Sequence, residues 1–225
     1  MERLAAGPGF VALRREITKL ARLTPSDRVL DVGAGTGLLT LAAAPLAGYV
    51  LALDISPAMC AHLGRKLAGS GISNADVALG DAAALPVACQ SFDVVVSNYC
   101  LHHLRTADKH RAIAEIRRVL RPGGRVVIGD MMFNVGLGNK RNRALLLRFV
   151  GAMLRRGPAG LVRLVKNFVR LVTGRGERPR DIHWWRKALE AAGFVNVSLR
   201  VLDHEGGVAI AYQPPAASSA RVHKR

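Results

Sequence analysis

Val29-Leu30-Asp31-Val32-Gly33-Ala34-Gly35-Thr36-Gly37 is the stretch around which the rest of the chain organises. Arg28–Gly33 reads as a buried strand, because a short apolar run that stops at a glycine has the length and ending of a central strand. Gly33, Gly35 and Gly37 then let the backbone turn sharply and approach a ligand with no Cβ in the way. Leu38–Ala47 reads as the helix that follows, and the first N–H groups of a helix have no internal partner and can face an anionic or polar group.

Outward from this turn, apolar runs alternate with helical patterns, the mark of a parallel sheet with crossover helices. Tyr49–Asp54 is a second strand. Ser56-Pro57 opens a helix running to about Gly69, with the Ser56 hydroxyl as cap and Pro57 in the first turn. Asp76–Leu79 and Phe92–Ser97 are a third and fourth strand, and Thr106–Leu120 is a helix with Ile113, Ile116, Val119 and Leu120 on one face. Pro122-Gly123-Gly124 turns the chain into a fifth strand, Arg125–Asp130. After an irregular stretch the rhythm returns with a helix at Asp181–Ala192, stopped by Gly193. Two strands, Val195–Leu202 and Gly207–Ala211, are joined by a turn near Glu205-Gly206-Gly207 that permits an antiparallel hairpin.

Asp54 lies 21 residues beyond Gly33, at the end of the second strand, where a carboxylate can accept both hydroxyls of a ribose. These features alone would also suit a nicotinamide dinucleotide. The dinucleotide fingerprint, however, is GxGxxG, whereas this turn is GxGxG with Leu38 in place of a further glycine. The third strand ends in Gly80-Asp81-Ala82, and a second carboxylate there suits the amino group of an adenine.

The run from Val29 to Asp130 resembles the class I S-adenosylmethionine-dependent methyltransferases, particularly their small-molecule branch with its quinone and sterol C-methyltransferases. VLDVGAGTG, LALDIS, GDAAALP, SFDVVVSNYCLHHL and RRVLRPGGRVVIGD carry the resemblance, in the family's order. It implies an α/β fold with a Rossmann-like seven-stranded sheet, an antiparallel last strand and helices on both faces. A helical insertion follows the fifth strand. It implies S-adenosyl-L-methionine as cofactor, with Asp31, Gly33, Ala34, Gly35 and Gly37 around its amino-acid portion. Asp54 would hold the ribose, Ile55 would pack on the adenine, and Asp81 and Ala82 would face the adenine amino edge. Asn98 would meet the methionine portion through its backbone.

Methyl transfer from a sulfonium rests mainly on alignment, and a base is needed only when the acceptor must lose a proton. The candidate region is Asn98–Leu104, at the carboxyl end of a central strand, where such folds place ligands. His103 is the candidate base, whereas His102 reads as a residue that packs against the cofactor and caps the next helix. Asp130 is a second candidate for acceptor contact. Cys100 reads as a buried thiol, with no oriented base to activate it. Base N-methylating enzymes place a polar residue, two prolines and an aromatic here, and Tyr99-Cys100 after Asn98 departs from that pattern.

The chain carries a formal net charge of +17, but residues 24–133 contribute 10 basic against 9 acidic residues. Residues 134–190 hold 14 basic against 3 acidic ones, so the excess lies in the insertion. Leu161–Val172 places Arg163, Lys166, Asn167 and Arg170 on one narrow helical stripe, with apolar residues elsewhere. Three readings stay open for it: a lid with solvated arginines, an anionic membrane surface met by residues 141–172, or RNA phosphates. Few exposed aromatics accompany the charge, which disfavours nucleic acid.

The chain therefore reads as one domain over 1–212, with an N-terminal helix (1–23), a cofactor core (24–133), a basic insertion or lid (134–180) and a final helix and two strands (181–212). Residues 213–225 read as a disordered tail. Three cysteines without CxxC spacing argue for a reducing compartment and against a zinc site or disulfide framework. Arginines through the N-terminal apolar stretch argue against a signal peptide, and no window offers the ~18 uncharged apolar residues of a membrane span. The expected location is cytoplasmic, peripheral to a membrane if the insertion meets one. The expected function is methyl transfer to a small hydrophobic acceptor such as a quinone precursor. The alternatives are an RNA methyltransferase or a non-catalytic regulator that binds the cofactor.

Overall fold

A computed structural model describes residues 8–133, 147, 151, 178–202 and 206–216. Nearly all of the basic insertion, including Arg163, Lys166 and Arg170, lies outside the described residues. The elements are α1 (Pro8–Ala21), β1 (Arg28–Val32), α2 (Leu38–Ala43), β2 (Tyr49–Asp54), α3 (Pro57–Ala68), β3 (Ala75–Leu79), β4 (Phe92–Asn98), α4 (Thr106–Val119), β5 (Leu120–Met131), α5 (Ile182–Ala191), β6 (Val195–Val201) and β7 (Gly206–Tyr212).

The seven strands form one sheet in the order β3-β2-β1-β4-β5-β7-β6. The first five run parallel, and β7 lies antiparallel between β5 and β6. Strand order reverses between β1 and β4, and the carboxyl ends at such a switch point form a crevice that helices do not cover.

Side chains alternate across the sheet as a two-residue period requires. Val29, Val94, Val96 and Val127 join one apolar layer with Leu13, Ile17 and Leu39. Leu30, Val95, Val126 and Ile128 join the other with Ile113, Ile116, Trp185 and Leu189. In α1, Leu13, Ile17 and Ala21 recur at helical spacing and are fully buried. Arg125 fastens the end of that helix to β5 by donating to the Ala21 carbonyl at 2.5 Å and the Arg22 carbonyl at 2.9 Å, and by pairing with Asp27 at 3.0 Å. One of the core's own cations is thus spent on structure.

Four expectations need correction. The helix at Leu38 ends at Ala43 and passes into a 3₁₀ turn over Ala44–Leu46, because Pro45 supplies no N–H. The fifth strand starts at Leu120, and Pro122-Gly123-Gly124 loops out inside it: Phe92 pairs with Leu120 and Val94 with Arg125. Gly123 takes φ of +79° there, which glycine adopts without strain. Chain order extends past Tyr212, since the Gln213 N–H donates to Gly124 and the Gln213 and Pro214 carbonyls accept from Gly123. Gly206 and Gly207 lie within β7 and not in its turn. Among the described residues, no helix is long and apolar enough to cross a membrane.

Candidate functional site: the β1–β2 cradle and the β4–β5 turn

The glycine-rich turn rises from β1 into the crevice. Gly33, Gly35 and Gly37 have φ of +74°, +55° and +77°. The Gly33 and Ala34 N–H groups both donate to the Leu53 carbonyl, at 2.8 and 3.0 Å, which bends the turn over the end of β2. A Cβ at Gly33 would overlap Cys100, and one at Gly37 would overlap Leu63. At Gly35 nothing lies within 4 Å of that position. The turn is packed at both ends and open in its middle.

Asp54 completes the cradle. Its Oδ2 accepts the Gly35 N–H at 2.8 Å and its Oδ1 accepts the Ser56 N–H at 2.9 Å. The carboxylate is therefore aimed by the backbone, and each oxygen keeps a second lone pair for a ribose hydroxyl. Ile55, next along, is 67% exposed, and Leu79, paired with Asp54 in the neighbouring strand, is 56% exposed. Apolar side chains so exposed at adjacent strand ends suit a flat ring. Leu79 was not singled out by the sequence, which shows a strand end but not which side of it stays open.

Asp31 lies beneath the turn, 1% exposed, and accepts the Thr40 hydroxyl at 2.6 Å. Burial raises its pKa to about 7, opposed by Thr40 and assisted by the charge of Asp54. It forms the floor of the cradle. Asp81 is exposed and accepts the Ala83 N–H at 2.8 Å, capping a tight turn closed by an Asp81–Ala84 bridge. The Ala82 methyl is buried in the core with Leu85, so only its backbone is left for a ligand edge. Asn98 ends β4 with a buried Oδ1 that has no hydrogen-bond partner among the described residues.

The β4–β5 side corrects one part of the reading of His102, its role as a helix cap, while the ring is packed inward. His102 does not cap α4: Arg105 occupies that position, with no side-chain cap bond. His102 is instead buried, with Nδ1 2.5 Å from Asp130 Oδ1. That same oxygen accepts the Met131 N–H at 2.7 Å, while Oδ2 is buried without a described partner. His103 is exposed, its ring centroid 4.0 Å from that of His102. Tyr99 takes φ of +50°, unusual for a non-glycine residue, and stacks on Phe10 of α1 at 4.3 Å. Helix α1 thus meets the turn after β4 through an aromatic ring. Cys100 sits against Gly33, and burial pushes its thiol pKa well up. Adjacent histidines give no sequence signal of which one turns inward.

A mixed sheet whose first five strands run parallel in this order, with a glycine cradle and an acidic β2 end, has the form of a Rossmann-like nucleoside-binding domain. Residues 29–124 match the family model of a methyltransferase domain. An arsenite methyltransferase of Halobacterium salinarum is 37% identical over 115 residues, 50% of this chain and 29% of that protein. A demethylmenaquinone methyltransferase of Renibacterium salmoninarum is 37% identical over 117 residues, 52% of this chain and 46% of that protein. The chain spans less than half the length of either relative. Phosphoethanolamine N-methyltransferase 2 of Haemonchus contortus, solved with S-adenosyl-L-methionine, superposes with a TM-score of 0.69 at 17% identity. The match covers 92% of this chain and 54% of that one, a likeness of fold.

Proposed function

We propose that the chain is an S-adenosyl-L-methionine-dependent methyltransferase acting on a small hydrophobic acceptor, with quinone-type rings as the leading class. The observation that carries this reading is the cradle itself: Asp54 held by the Gly35 and Ser56 N–H groups beside exposed Ile55. The residues fit the cofactor. The open space over Gly35 admits a backbone approach, Asp54 can take a ribose, and Ile55 can meet an adenine face. S-adenosylmethionine supplies a methyl group already activated on a sulfonium.

The chain's part is then placement. Gly33 and Gly35 bring backbone to the amino-acid portion, and Asp81 and the Ala82 backbone border the adenine edge. Phe10 and Tyr99 form an apolar wall on the acceptor side, which supports a hydrophobic ring over a polar one. Exposed His103 is the group proposed to take a proton from an acceptor hydroxyl or acidic carbon. Asp130 Oδ2 is the atom proposed to receive a hydrogen bond from that acceptor, since a buried acceptor left unpaired costs about 1–3 kcal/mol.

Titration calorimetry with S-adenosylhomocysteine and with NAD, followed by labelled-methyl transfer to menadiol, tests the reading. Micromolar binding of S-adenosylhomocysteine with none of NAD is expected. Uptake of the dinucleotide in its place would overturn it.

A further inference from the structure

Lys109 is fully buried, although it lies in the first turn of α4. A cation is disfavoured there twice over, by desolvation and by the positive end of the helix dipole. Burial pulls its pKa down to about 8, with Asp130 opposing the shift and Arg180 and Arg178 adding to it. A lysine kept in such a place needs compensating partners, and the structure supplies them. Lys109 Nζ donates to the Leu104 carbonyl at 2.5 Å and to the His102 carbonyl at 3.5 Å. The His102 carbonyl also accepts the Arg178 N–H at 2.8 Å, from the chain just ahead of α5.

The turn from Tyr99 to Leu104 is thereby gripped at several points. Tyr99 N–H donates to the Gly129 carbonyl at 2.8 Å, and the His102 ring is held by Asp130. Lys109 and Arg178 hold the His102 backbone. Above this buried anchor stands exposed His103, and beside it Cys100 lies against Gly33 of the cradle. One buried ammonium therefore fixes the backbone of a turn that carries exposed His103 on one side and Cys100, packed on Gly33, on the other.

We propose that Lys109 is a positioning residue of the candidate site, locking His102 onto Asp130 so that His103 and Cys100 keep their places beside the cradle. The inference deepens the methyltransferase reading by naming what preorganises its acceptor side. It predicts that the grip can be released without unmaking the sheet, because α4 keeps its apolar face of Ala112, Ile113 and Ile116.

The test uses the full chain and two readouts that need no ligand. In proton NMR the short Nδ1–H bond from His102 to Asp130 gives a far-downfield imidazole resonance, identified by its loss in Asp130→Asn. In Lys109→Met this resonance should shift or vanish, and alkylation of Cys100 by iodoacetamide should speed up about tenfold while exposed Cys89 reacts as before. An unchanged resonance and unchanged Cys100 rate in the folded variant would overturn the proposal. Should Lys109→Met fail to fold, Lys109→Gln, which keeps a donor but loses reach, is read by the same two criteria. S-adenosylhomocysteine calorimetry on the unaltered chain reports separately on the cofactor reading, so failure of one is not failure of the other.

Discussion

A Cβ placed on Gly33 would lie 2.0 Å from the Sγ of Cys100, so the cofactor turn and the turn after β4 are packed as one piece. Gly33→Ala would meet that overlap at φ of +74°. The strain is about 1–3 kcal/mol before any overlap is counted. We expect a clear fall in melting temperature and loss of S-adenosylhomocysteine binding. Adding Cys100→Gly should recover part of the stability, since it removes the overlap and leaves the φ strain. Absence of any recovery would mean the two turns are not coupled by this contact.

Gly35→Ala offers the opposite case. Open space surrounds its Cβ position, so the folding cost should be only the left-handed conformation, about 1–2 kcal/mol. The new methyl projects into the cradle, so affinity for S-adenosylhomocysteine should drop by more than tenfold in calorimetry. Comparable losses of stability in Gly33→Ala and Gly35→Ala would contradict the distinction between packed and open glycines.

Asp54→Ala removes the acceptor for two backbone N–H groups as well as a proposed ribose partner. Two lost hydrogen bonds cost about 1–3 kcal/mol of stability together in a half-buried site. Cofactor affinity should fall further than stability accounts for, and Asp54→Asn should lie between. Unchanged calorimetric affinity would remove Asp54 from the ribose assignment.

Asp31 carries a pH dependence with a definite sign. Its carboxyl is raised to about 7 in the fold by burial. The folded state thus holds a proton that the unfolded chain releases between about pH 4 and pH 7, and stability from this group falls across that window by at most about 1.4 kcal/mol per unit. Above pH 7 the contribution is level. Urea unfolding should show Asp31→Asn gaining on the unaltered chain from pH 5 to pH 7.5, with Thr40 still able to donate to the amide oxygen. A pH-independent difference would show that Asp31 is ionised in the fold.

The membrane reading of Leu161–Val172, an expectation from its sequence, is tested by charge removal. Changing Arg163, Lys166 and Arg170 to Gln should weaken flotation with phosphatidylserine vesicles, at about 1 kcal/mol per charge near an anionic surface. Affinity for S-adenosylhomocysteine should stay the same. If vesicle binding is unaltered, those charges serve as a solvated face only.

The sheet and the glycine turn were legible in runs of neighbouring residues. Strand length, a continuous apolar run and glycine punctuation are local properties, and Val29–Gly37 followed by Tyr49–Asp54 carries them. The Ser56 cap was legible for the same reason, its side chain accepting the Met59 N–H three residues on. The exceptions were local as well: Pro45 shortening a helix, and a glycine pair looping out within β5.

Which polar side chains turn inward depends on partners far away in the chain. Nothing local distinguishes His102 from His103; the difference is made by Asp130, 28 residues away on the next strand, which takes one ring and leaves the other exposed. Lys109 looks like a solvent-facing residue of a helix until the Leu104 and His102 carbonyls are folded over it. Phe10 reaches Tyr99 only because α1 crosses β5 at Gly129, where a Cβ would strike Ile17 and Leu13. Secondary structure follows from neighbours in the chain, whereas the burial of a charge depends on partners that the topology brings from a distance.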